Sequence, residues 1–186
     1  MKWFYCDGST RGKNQKGADN IGGWGAVCFN ITDSVDWELE DFDCDTTEGT
    51  TNNREELKAM IYCLCSILHD YPDEKCIIYS DSAYVVNMCN TWIYSWAANN
   101  WKNSKKQIVE NLDLVQEIYN LLQYFFVKPD IQKCEGHMGE LGNELADALA
   151  TANYKRFIKL CTENDLVISE NDMEWLTFKD ETVKMI

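Results

Sequence analysis

Strand-type periodicity fills the first 40 residues of this chain, and helix–strand alternation fills the rest. That division limits what it can fold into. Three β-type runs come first: 2–6 (KWFYC), 22–29 (GGWGAVCF), and Val35, Trp37 and Leu39 alternating with Asp36, Glu38 and Glu40. Period-two alternation marks a strand with one buried face. The third run turns an acidic face outward, which suits an edge strand, where charge blocks unwanted pairing. A helix follows. Leu57, Met60, Ile61, Leu64 and Leu68 form one apolar stripe. Asn52 and Asn53, each with a Glu three residues on, make a capping start, and Pro72 makes the stop. Short strands at 75–80 and 130–134 then alternate with helical segments. These run from Ser82 past Trp92 and Trp96, from Leu112 to Phe126, and from Leu141 to about Lys159. The order βββαβααβα predicts an α/β fold, a mixed sheet with helices packed on it. Residues 1–159 are expected to form this domain. Residues 160–186 carry seven acids with isolated Trp175 and Phe178, and they read as an acidic C-terminal extension with one more short helix.

The 186 residues are 45% hydrophobic and 26% charged, which excludes a disordered chain and is long enough for a full core. No apolar run reaches membrane-spanning length. The start MKWFYCDGST is not a secretory signal, so a cytoplasmic location is expected. Nine cysteines occur with no CxxC pair, which argues for buried thiols in a reducing compartment over a zinc ribbon. The net charge of −14 argues against a phosphate-bearing partner unless the charges are segregated. They are. Residues 33–48 hold eight acids and no Lys or Arg. Residues 92–106 hold Lys102, Lys105 and Lys106 and no acid, and Arg11, Lys13 and Lys16 follow the first strand.

Acids stand at element ends. Asp7 closes the first strand, Asp81 closes the fourth, and Glu56 opens the first helix. Asp147 lies on the 141–159 helix, ten residues after His137. Adjacent strands ending at one sheet edge bring such side chains together. Clustered carboxylates repel unless a cation lies between them, and oxygen ligands suit Mg²⁺ or Mn²⁺. Two such ions would stabilise the attacking and leaving oxygens of a phosphoryl displacement.

The motifs Y-C-D-G-S (5–9), G-G-W-G-A-V (22–27), T-N-N-R-E-E-L (51–57), Y-S-D-S-A-Y-V (79–85), W-I-Y-S-W-A-A-N-N-W-K (92–102), N-L-D-L (111–114) and G-H-M-G-E-L-G-N-E-L-A-D (136–147) occur in this order. Across roughly residues 2–155 the chain resembles a type 1 ribonuclease H. The resemblance implies a five-stranded mixed sheet with helices on both faces. It also implies Mg²⁺-dependent hydrolysis of the RNA strand of an RNA–DNA hybrid, giving 5′-phosphate and 3′-hydroxyl ends. Matched position by position, Asp7, Glu56, Asp81 and Asp147 resemble the metal-holding acids, and His137 resembles a loop histidine that moves protons. Glu56 is preferred to Glu55 because the family places its acid directly before Leu; Glu55 is then expected to be solvated. Gly8, Ser9, Asn52 and Asn53, with Glu56, resemble groups that meet RNA 2′-hydroxyls. Thr51 and Asn111 resemble a pocket for a DNA-strand phosphate. Trp96 is expected to face the DNA strand, Tyr84 to line the same groove, and Trp92 to pack the helices. With few basic residues on the 92–106 segment, hybrid binding is expected to be weak and weakly salt-dependent. The chain is expected to act as a monomer, with the extension free to contact another protein. The alternative is a catalytically idle nucleic-acid-binding module of the same fold.

Overall fold

The structure is a computed structural model that describes residues 1–11, 20–32, 37–136 and 139–183. Lys13, Lys16, Asp33, Val35, Asp36 and His137, singled out above, lie outside the described residues. β1 (Lys2–Arg11) pairs antiparallel with β2 (Ile21–Ile31), and β2 with β3 (Trp37–Glu48). On its other side β1 pairs parallel with β4 (Cys76–Ser80), and β4 with β5 (Asp130–Lys133). The order β3-β2-β1-β4-β5 is an open mixed sheet with the acidic strand at its edge.

Two strands run further than their apolar patterns. β1 does not end at Asp7. It continues through Gly8 and Ser9 to Arg11, because Gly22, Gly23 and Gly25 on β2 keep the antiparallel ladder open to close neighbours. β3 continues to Glu48 through a bulge. Cys28 pairs with Asp41 and Phe29 with Leu39, which leaves Glu40 as the extra residue. A bulge exchanges the two faces of a strand. Trp37 and Leu39 before it and Phe42 and Cys44 after it therefore share one core. Glu40 ion-pairs instead with the nearly buried Lys2.

Alternate β1 and β2 side chains feed two cores. Phe4, Cys6, Ala26 and Cys28 face α1 (Asn52–Asp70), α2 (Ala83–Asn87), α3 (Ile93–Ala98) and α4 (Leu112–Tyr124). A π turn, Met88–Trp92, joins α2 to α3 without a break. Thr51, not an asparagine, caps α1: its hydroxyl accepts from the Arg54 amide, and Asn52 and Asn53 form the first turn. Tyr5, Val27, Phe29 and Cys44 face α5 (Leu141–Ala150), α6 (Tyr154–Glu163) and α7 (Glu170–Val183).

The single helix expected over 141–159 is two. Ala152 takes a left-handed φ of 50°, and Asn153 starts α6 by accepting the Arg156 amide at 3.2 Å. Residue 159 falls within α6, and the chain beyond it packs on the second core: Cys161 and Leu176 are fully buried, and Trp175 meets Phe42. The apolar face left by Phe42 and Phe157 explains this docking. All nine thiols are free, eight of them buried and Cys65 exposed. Among the described residues no helix is long and apolar enough to cross a membrane.

Candidate active site

The parallel ladder between β1 and β4 ends at Tyr5 opposite Tyr79. Asp7 and Asp81 each lie two residues beyond that rung, so equal steps along neighbouring strands bring the two acids side by side. Gly8 sets the third acid. A side chain there would meet the Glu56 amide nitrogen at 2.1 Å and the Glu55 carbonyl carbon at 2.5 Å. β1 thus crosses directly under the first turn of α1, and only glycine permits it. Carboxylate oxygens of Asp7, Glu56 and Asp81 all lie within 4.8 Å of one another.

The fourth acid comes from the opposite layer. α5 lies close on the sheet because Gly25 and Gly142 lack side chains: a Cβ on the first would strike the Ala146 carbonyl oxygen at 2.5 Å, and one on the second the Tyr5 ring at 2.2 Å. This brings Asp147 close enough to act on Asp7, though outside the group of three acids that meet within 4.8 Å. Asp147 is also ion-paired with Arg156. Buried Asn143 points its amide at Asp81 at 3.5 Å, while its own oxygen takes the Cys134 thiol.

Burial and repulsion by neighbouring acids hold protons on Asp7 and Glu56. Burial first, then the charges of Asp81 and Asp147, push Asp7 up to about 8. Burial and the charges of Asp7 and Asp81 push Glu56 up to about 9. Asn52 donates to Glu56 Oε1 at 3.3 Å, but Glu56 Oε2 is buried with no hydrogen-bond partner. An acceptor without a donor, among carboxylates that repel one another, fits a hard divalent cation.

Glu55 is not solvated. It is fully buried, accepting from Thr50 at 2.6 Å and Lys58 at 2.8 Å. Gly22 makes the space for it: a Cβ there would lie 2.9 Å from Glu55 Cγ. The helical angle between the two glutamates is ordinary, but α1 starts pressed against β1 and β2 at Gly8 and Gly22, so both are enclosed.

Of the other candidates, Gly8 is wholly taken up by the β1–α1 crossing, and Ser9 is half-buried beside it. Asn52 and Asn53 are exposed. Asn111 stands at the start of α4 in a left-handed conformation, with its side chain near Tyr84, so Tyr84 and the expected phosphate pocket adjoin. Arg54 ties α1 to α4 through a two-pronged pair with Asp113, at 3.0 and 2.7 Å. Trp92 and Trp96 touch at 5.9 Å between ring centres; Trp92 is 39% exposed, and Trp96 is half-buried against the first core. Lys102, Lys105 and Lys106 are exposed. Sequence reasoning missed Asn143 and Arg156. The first lies inside the quoted G-N-E motif; nothing local marked the second.

The RNase H family model matches residues 1–155. The ribonuclease H of Francisella tularensis subsp. novicida is 40% identical over 149 residues, which is 78% of this chain and 86% of that protein. The ribonuclease H of Caldicellulosiruptor saccharolyticus is 39% identical over 135 residues, 72% of this chain and 86% of that one. Among solved structures, LC9-RNase H1, a type 1 RNase H with the type 2 active-site motif, superposes with a TM-score of 0.69 at 27% identity over 81% of this chain and 70% of its own. The PFV RNase H domain shares the fold, with a TM-score of 0.67 at 24% identity over 81% of this chain and 92% of its own. With its sheet, its acid cluster and these relatives in agreement, the chain belongs to the ribonuclease H family.

Proposed function

We propose that this chain is an endonuclease that hydrolyses the RNA strand of RNA–DNA hybrids, leaving 5′-phosphate and 3′-hydroxyl ends. The observation that carries this reading is the meeting of Asp7, Glu56 and Asp81 within 4.8 Å at the carboxyl end of the parallel ladder. Asp7, Glu56, Asp81 and Asp147 would hold two divalent ions, Mg²⁺ or Mn²⁺. When bound, such ions supply an activated water and neutralise charge on the displaced phosphate. Asp7 and Glu56 must shed their protons to take part, so protons compete with the cations for these two acids and binding should strengthen as pH rises. Ser9, Asn52 and Asn53 border the acids at the α1 start, where hydroxyls of the RNA strand would be read. Thr51 and Asn111 would hold a DNA phosphate beside Tyr84, and the Arg54–Asp113 pair fixes the spacing of α1 and α4 behind them. Trp92 and Trp96, with the nearby lysines, would carry the DNA strand. His137 would move protons to and from the site.

The test is cleavage of a labelled RNA–DNA hybrid with Mg²⁺, Mn²⁺ or EDTA, for wild type and Asp81→Asn. Metal-dependent cutting of the RNA strand alone, lost in the variant, is the expected result. No cutting by folded protein with either ion would point to the idle binding module. Four acids beside a phosphate backbone make poor sense in such a module, since without cations they repel it.

A further inference from the structure

We propose that Arg156 is a positioning residue that holds Asp147 in the metal-binding set. This rests on the reading of the four acids as metal ligands. The geometry is its own. Arg156 reaches from the first turn of α6 back to α5, where one guanidinium nitrogen donates to Asp147 and the other to Glu144. The two acids stand three residues apart on one helix face. The arginine is fixed at both ends, because its backbone amide is taken by the Asn153 cap at 3.2 Å. The turn between the helices is itself fastened, with the Thr151 hydroxyl donating to the Asp147 carbonyl at 2.7 Å.

Asp147 needs such a hold. It sits at the rim of the cluster with its side chain 15% exposed, facing Asp7. Freed of Arg156, its carboxylate would turn outward to water. A planar fork bonded to two carboxylates fixes direction as well as charge, which a single ammonium does not. Groups that orient metal ligands typically matter about 10–100-fold in metal affinity or activity when removed.

The experiment is calorimetric titration of Mg²⁺ into the full chain without nucleic acid, for wild type, Arg156→Ala, Arg156→Lys and Glu144→Gln, with thermal melts in EDTA to confirm folding. Arg156→Ala should raise the half-saturating Mg²⁺ concentration by about tenfold. Arg156→Lys should fall between it and wild type. The Arg156→Ala/Asp147→Asn double variant should bind no more weakly than Asp147→Asn alone. If Arg156→Ala does not fold, Arg156→Lys and Glu144→Gln carry the test. Mg²⁺ binding as tight as wild type, or tighter, in the folded variants overturns the inference and reduces Arg156 to a surface ion pair. Failure of the wild type itself to bind Mg²⁺ sinks the reading of the site beneath it.

Discussion

Gly8→Ala is a change whose sign reverses if the site is built as described. In an ordinary strand, alanine in place of glycine stabilises by roughly 0.5–1 kcal/mol, because glycine loses more freedom on folding. Here the new methyl would lie 2.1 Å from the Glu56 nitrogen, where ordinary contact starts near 3.4 Å. The shortfall is about 1.3 Å (3.4 minus 2.1), and it falls on helix backbone, not on a side chain that could swing away. β1 and α1 must therefore separate, at a typical overpacking cost of ~1–3 kcal/mol. The same movement draws Asp7 from Glu56. A displacement of about 1 Å at a catalytic group costs roughly 10²-fold in rate. Urea denaturation in EDTA should give a lower midpoint with an unchanged slope, and hybrid cleavage at saturating Mg²⁺ should slow by about that factor. A variant as stable as wild type, or more so, would refute the close crossing. A stable variant with full activity would refute its link to the acids as well.

Two further outcomes follow from burial. Asp7 and Glu56 sit at about 8 and about 9 in the folded chain, against roughly 4 when unfolded. Folding takes up protons there, so this stabilisation is complete below about pH 4 and is lost by about pH 9. In EDTA the melting temperature should fall between pH 6 and pH 9, Asp7→Asn should flatten the fall, and Mg²⁺ should restore more at pH 9 than at pH 6; a wild-type profile that is flat or rises speaks against it. Leu176→Ala should cost about 2–5 kcal/mol in urea denaturation, since the side chain is fully buried on the second core. A loss under ~0.5 kcal/mol would mean that α7 is a surface appendage.

Much of this arrangement was legible in the chain because it rests on periodicity and on residues that stand at element ends. Asp81 stands just past a strand end and Glu56 in the first turn of a helix; Asp7 ends an apolar run, though β1 continues past it, and the family motifs decided for Glu56 over Glu55. Three hairpin-type runs followed by crossovers marked a mixed sheet, but not the order of its strands. What stayed hidden depended on events with little local signature. The bulge at Glu40 reverses strand parity, so the alternation that marked the third strand stops there although β3 runs on to Glu48. The left-handed Ala152 breaks a pattern that reads as one helix, and that break is what turns Arg156 toward Asp147. Glu55 read as solvated because helical angle was judged without the close approach of β2 to the first turn of α1. Trp92 and Trp96, one turn apart, carry the same local pattern; only packing makes the first the more exposed.

The docking of α7 has a consequence for synthesis. A ribosome delivers the chain from its amino end at ~5–20 residues per second, and the earlier part can begin to fold as it emerges. The layer formed by α1 to α4 can close on the sheet while the remainder is still being made. The opposite face cannot. Phe42 and Phe157 await Trp175 and Leu176, which emerge after the rest of that core. For that interval the nascent protein carries a half-dressed sheet, and it is then that a chaperone has the most to shield.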